Sequence, residues 1–158
     1  MGLMSFLGQG LAEGSQAPEF CLKDQNNHEQ SLSQFKGQKI ILYFYPADFT
    51  MGCTAEACSF RDEFEAFRTA KIPVIGISTD SVIKHAEFAE HHKIPFPILA
   101  DDSKKVSKDY EVLLPIGKAN RVTFLIDENQ KIVKVLKWLS WKNYAQETQS
   151  ALKNLGWF

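Results

Sequence analysis

Two cysteines five residues apart, Cys53 and Cys58, stand in the segment Tyr43-Phe44-Tyr45-Pro46-Ala47-Asp48-Phe49-Thr50-Met51-Gly52-Cys53-Thr54-Ala55-Glu56-Ala57-Cys58. A thiol reacts as its thiolate, and the free amides and positive dipole end of a helix's first turn favour an anion. Lowering a thiol pKa from about 8.5 to about 6 raises the thiolate fraction at pH 7 from roughly 3% to roughly 90%. A low pKa also weakens the nucleophile intrinsically, so a fast reaction needs a second device that stabilises charge in the transition state. Thr50, three residues before Cys53, can cap the helix and offer a hydroxyl to the thiolate or to a bound oxygen. A fixed cation is still required.

The spacing of the two cysteines fits neither a Cys-x-x-Cys redox pair nor tetrahedral zinc. In an intact helix, residues five apart lie roughly 8 to 9 Å apart at Cα and on different faces. A disulfide needs less than about 7 Å, so bridging them requires the first turns to unwind. If Cys53 first became a sulfenic acid, local unfolding could deliver Cys58 to condense with it. The alternative is that both are small buried hydrophobes.

The elements that position this segment follow from its flanks. Residues 40–45 form an apolar run rich in aromatic and β-branched side chains, which predicts a strand covered on both faces. Pro46 donates no ladder hydrogen bond and ends it. Beyond, Ala57, Phe60, Phe64 and Phe67 recur at helical spacing, with Glu56, Arg61, Asp62, Glu63 and Glu65 between and opposite them, so one helix is expected from about residue 50.

The chain has 158 residues, 44% hydrophobic and 23% charged, the size and balance of a single soluble domain spanning 1–158 with a loose tail over 1–14. A formal net charge of −1 argues against nucleic acid or an anionic membrane as partner, and the apolar runs are of strand length. The first ten residues lack the basic flank and long apolar region of a signal peptide, so a cytoplasmic address is expected. Three cysteines are too few for a disulfide scaffold.

In order, short strands are expected at 17–23 and 28–32, a helical turn at 33–37, strands at 72–79, 98–100, 121–127 and 132–136, and helices over 81–92, 103–110 and 141–155. Strand and helix alternate through the middle with a hairpin near the end, which makes the class α/β with a mixed central sheet.

The string Tyr43-Phe44-Tyr45-Pro46-x-x-x-Thr50-x-x-Cys53-Thr54-x-Glu56-x-Cys58, followed by Phe60-Arg61-Asp62, closely resembles the active-site segment of the peroxiredoxins, in particular the bacterioferritin comigratory protein or PrxQ subgroup. Arg121-x-Thr123-Phe124-Leu125-Ile126-Asp127 and Phe96-Pro97-Ile98-Leu99-Ala100-Asp101 resemble two further signatures, so the likeness runs from about residue 17 to the C-terminus. It implies a thioredoxin-like fold of peroxiredoxin type, with the mixed sheet flanked by helices. It also implies a thiol peroxidase acting on hydrogen peroxide and alkyl hydroperoxides without metal, haem, flavin or other cofactor. Cys53 would be the peroxidatic nucleophile and Cys58 the resolving cysteine; Pro46 would shield the pocket, Thr50 would hydrogen-bond the peroxide, and Arg121 would be the missing cation. Thioredoxin or a similar dithiol protein would reduce the Cys53–Cys58 disulfide, and the protein would be a monomer or at most a weak dimer.

Other readings stand beside these. Arg121 could be a solvated residue at a strand start, and Glu56 a solvated helix position or a site contact. Met51 occupies the place where the family usually has proline, which implies a looser turn before Cys53. Cys21 is read as a buried hydrophobe, with an alternative resolving thiol as the other option. His85, His91 and His92 show no third ligand for a metal, and Trp138, Trp141, Trp157 and most phenylalanines are assigned to packing. A non-catalytic redox sensor or holdase using the same cysteine is the rival function, and a disulfide exchanger a weaker one because Cys-x-x-Cys is absent.

Overall fold

The central run becomes strand β3, Ile40–Phe44, all five residues buried, in the middle of a seven-stranded sheet. The computed structural model describes residues 8–137, 139–140 and 142–158. The other strands are β1 Cys21–Lys23, β2 Glu29–Ser31, β4 Val74–Ser78, β5 Ile98–Ala100, β6 Val122–Ile126 and β7 Ile132–Leu136, in the spatial order β2-β1-β5-β4-β3-β6-β7. β3 pairs in parallel with β4 and β4 with β5, whereas β6 runs antiparallel to β3 and β7 antiparallel to β6, and β1 runs antiparallel to both β5 and β2. The sheet is therefore mixed, as expected.

Side chains alternate across a strand, so β3 feeds two cores. Ile41, Tyr43 and Tyr45 join one cluster with Cys53, Ala57, Phe60, Phe67, Phe88 and Tyr144; Ile40, Leu42 and Phe44 join the other with Ile77, Tyr110 and Phe124. Phe60 stacks on Tyr43 at 5.0 Å and anchors the helix that carries Cys53, a burial that contributes roughly 1.5–3 kcal/mol. Opposite Tyr43 in the ladder stands Gly76, where a Cβ would lie 2.9 Å from the tyrosine ring.

Five α-helices complete the described fold: α1 Met51–Asp62, α2 Phe64–Thr69, α3 Val82–His92, α4 Lys105–Asp109 and α5 Tyr144–Asn154, with a 3-10 turn at Leu32–Phe35. The expected single helix after Thr50 is thus two, divided at Glu63, whose φ of −103° and ψ of 12° leave the helical region. A straight helix separates residues seven apart by about 10 Å along its axis. The bend brings the Phe60 and Phe67 rings to 5.8 Å.

Two further expectations are corrected. Residues 8–14 are no loose tail: Gly10 and Leu11 donate to the carbonyls of Glu111 and Tyr110, and Gly14 to that of Ile132. Cys21 is exposed, because β1 lies near the sheet edge and turns that side chain outward. Residues 1–7, Trp138 and Trp141 lie outside the described residues, so the closing helix is described from Tyr144. No helix among the described residues is long and apolar enough to cross a membrane.

Candidate active site

The turn leaving β3 delivers the chain to the start of α1 under close control. Thr50 is the N-cap, with φ −87° and ψ 154°, and its carbonyl accepts from Thr54 N. Its hydroxyl does not cap the helix; it donates to the Ala47 carbonyl at 2.9 Å and braces the turn. Pro46 is half-buried at the strand exit, and Phe49 takes a left-handed φ of 64° immediately before the cap. That conformation is costly for a bulky residue. Ring contacts hold it: Phe49 packs edge-on against Phe88 at 5.2 Å and lies 6.2 Å from the rings of both His91 and His92.

Beneath the turn lies a buried polar brace. Asp48 Oδ2 is 2.6 Å from His85 Nδ1, and the Tyr45 hydroxyl donates to Asp48 Oδ1 at 2.6 Å. His85 Nε2 lies 3.0 Å from the Leu99 carbonyl, so both ring nitrogens face acceptors. Asp48 N donates to Asp80, which also accepts from Ser78 Oγ and pairs with Lys84 at 3.1 Å. Burial works against the Asp80 charge, but these donors outweigh it and hold the carboxyl below its usual range. Asp48, Asp80 and His85 bring ligand-type atoms within 4.8 Å of one another. They are already paired with one another or with Tyr45, Leu99, Ser78 and Lys84, so the cluster ties α3 to the active-site turn.

Cys53, the third residue of α1, is 1% exposed. Arg121, just before β6, reaches it from the strand beside β3: Nη2 donates to Cys53 Sγ at 3.3 Å, and Nη1 donates to Glu56 Oε1 at 2.6 Å. β6 is hydrogen-bonded to β3, with Val122 opposite Phe44, which places residue 121 beside the end of the strand that launches α1. One guanidinium therefore spans a sulfur and a carboxylate three residues apart on the same helix face. Its side chain keeps 24% exposure, so it links bulk water to the buried sulfur. Burial opposes its charge, but Glu56 and Cys53 outweigh burial and push the arginine further above its normal range.

Glu56 is the site residue that sequence reasoning left out. It is fully buried, which removes the solvated-helix reading, and burial raises its carboxyl from 4.5 to about 7 against the opposing pull of Arg121 and Tyr144. Its Oε2 has no hydrogen-bond partner, the local cost that disfavours the anion. The signal was present in the spacing: a residue three after Cys53 shares its helix face. Behind it the Tyr144 hydroxyl shares a 2.8 Å hydrogen bond with Thr123, and burial, then Glu56, pushes that phenol upward.

Cys58 lies a turn and a half further along the unbroken helix, half-buried, with its Sγ 3.9 Å from His92 Nδ1. All three cysteines are free thiols. The structure thus gathers Cys53, Arg121 and Glu56 into direct contact, sets Thr50 and Pro46 in the adjoining turn, and keeps Cys58 and Cys53 apart within one helix.

Residues 14–135 match the AhpC/TSA family. The chain is 45% identical over 121 residues to chloroplastic peroxiredoxin Q of Oryza sativa subsp. japonica, covering 75% of this chain and 56% of that protein. It therefore spans little more than half the length of that chloroplastic relative. With peroxiredoxin Bcp of Bacillus subtilis (strain 168) the identity is 39% over 149 residues, covering 90% of this chain and 95% of that one. Among solved structures, peroxidoxin BcpB of Mycobacterium tuberculosis superposes with a TM-score of 0.83 at 33% identity, over 91% of this chain and 97% of that one. The fold is accordingly thioredoxin-like, as the sequence resemblance implies.

Proposed function

The chain belongs to the AhpC/TSA family, and on that premise we propose that it is a thiol-dependent peroxidase whose nucleophile is Cys53. The observation that carries the reading is the guanidinium of Arg121 at 3.3 Å from Cys53 Sγ, with its other arm fixed by Glu56 at 2.6 Å. A cation fixed beside the sulfur is the charge-stabilising device that such a thiol reaction needs.

In the proposed cycle the thiolate attacks one oxygen of hydrogen peroxide or an alkyl hydroperoxide. The S–O bond forms as the O–O bond breaks, and the leaving oxygen departs as water or alcohol after taking a proton. Arg121 stabilises the charge growing on that oxygen, and Thr50 Oγ1, whose own hydrogen is held by the Ala47 carbonyl, accepts a hydrogen bond from the bound peroxide. Pro46 shields the sulfur, and peroxide enters past it and the partly exposed Arg121. Cys58 then condenses with the sulfenic acid, and thioredoxin or a similar dithiol reduces the disulfide. No metal or organic cofactor enters these steps. The protein works as a monomer or weak dimer in the cytoplasm.

Replacing Cys53 with Ser tests the assignment: thioredoxin-coupled consumption of peroxide falls to the uncatalysed rate. Turnover retained in C53S refutes it, and stoichiometric oxidation of the native protein without turnover favours a redox sensor instead.

A further inference from the structure

We propose that His92 is a further catalytic residue of this site, the base that takes the proton from Cys58 as its sulfur attacks oxidised Cys53. The inference rests on the peroxidase reading above and assigns a residue to its second half.

The geometry comes first. His92 ends α3, and its Nδ1 lies 3.9 Å from Cys58 Sγ, the one polar side-chain contact described for that thiol. The imidazole is held from several sides: Phe88 lies at 5.0 Å, His91 at 4.6 Å and Phe49 at 6.2 Å between ring centroids. Arg61 Nη1 donates to the His92 carbonyl at 2.7 Å, which fastens this end of α3 to the same helix that carries Cys58.

The charges around the pair suit a proton transfer in this direction. Burial, together with Asp62, raises the Cys58 thiol above its usual range against the opposing effect of Arg61, so the thiol needs a base to ionise near neutrality. Burial, His91 and Arg61 hold His92 below the ordinary imidazole range, so it stays neutral and able to accept.

The helix itself shows which end moves. Past Cys58, Ser59 Oγ accepts from Ala145 N at 2.9 Å, Phe60 is fully buried, and Arg61 is tied to His92. The first turn has no side-chain cap, and Phe49, Thr50 and Met51 are exposed. Unwinding therefore brings Cys53 towards a Cys58 that stays beside His92. The step balances: the Cys58 S–H proton passes to Nδ1, the new S–S bond displaces the sulfenic oxygen, and that hydroxide takes the proton to leave as water. Cys58 is oxidised and the sulfenic sulfur reduced.

The test uses full-length protein, one equivalent of hydrogen peroxide, and rapid alkylation quench read by mass spectrometry, resolving the sulfenic acid from the Cys53–Cys58 disulfide over pH 5–10. In His92→Gln the sulfenic acid forms at the native rate, while disulfide formation at pH 7 slows at least tenfold and recovers at high pH, where Cys58 ionises unaided. In the native protein the disulfide rate rises along a limb below the ordinary imidazole value. A native rate that follows only the high-pH thiol, or a His92→Gln rate within twofold of native at pH 7, overturns the assignment while leaving the peroxidase reading intact. A sulfenic acid on Cys53 that never becomes a Cys53–Cys58 disulfide in the native protein overturns the assignment alone, whereas absence of the sulfenic acid as well overturns both.

Discussion

The Glu56 carboxyl sets a pH dependence that can be predicted with its sign. Its folded-state pKa is raised from 4.5 to about 7, chiefly by burial. A group that holds its proton more tightly when folded adds stability that is fully present below about pH 4.5 and is lost as the pH rises through about 7. At roughly 1.4 kcal/mol per pH unit across that window, the loss is about 3 kcal/mol. Glu56→Gln keeps an acceptor for Arg121 Nη1 and removes the titration. Urea unfolding of both proteins from pH 4.5 to 8.5 isolates the effect, since groups that do not interact with Glu56 cancel in the difference. The native protein should lose about 3 kcal/mol relative to the variant, roughly a 1.5 M shift in midpoint at a slope of about 2 kcal/mol per M. A difference that stays constant across the range would mean that Glu56 is ionised throughout and that Arg121 outweighs burial.

Two further outcomes follow from the same region. Met51 is the first helical residue after an extended Thr50 and is 78% exposed, a position where proline loses no helical hydrogen bond. Met51→Pro should raise stability by about 0.4–1 kcal/mol, seen as a Tm higher by a few degrees; a lower Tm would show that the Met51 N–H or its φ is needed as it stands. His85→Leu strands the Asp48 carboxylate with the Tyr45 hydroxyl as its remaining side-chain partner and should cost about 3 kcal/mol in chemical denaturation, whereas a cost below about 1 kcal/mol would remove the brace from the account of the turn.

Local pattern sufficed for much of the molecule. The run at 40–45 read as a buried strand because both of its faces are apolar, and Pro46, Thr50 and the phenylalanine spacing marked where strand gives way to helix. The helix expected from residue 81 starts there, with the Ser81 side chain accepting from Lys84 N. The pairing of Cys53 with Arg121 was expected from the family likeness alone, since 68 residues separate them and no periodicity joins such distant positions.

What tertiary structure decided are the quantities set by neighbours from other elements. Burial is one: Cys21 looked like a core residue and is exposed on β1, one strand in from the sheet edge, while Glu56, open between a solvated helix position and a site contact, is sealed under Arg121. The break at Glu63 is another, since nothing in the spacing of the phenylalanines marks it. The partnerships of His85 with Asp48 and of His92 with Cys58 cross 37 and 34 residues and depend on where α3 packs. Sequence determined which groups could do chemistry and which local elements would carry them. The packing of those elements determined which groups lost water and which charges they met, and those conditions set how a thiol, a carboxyl or an imidazole behaves.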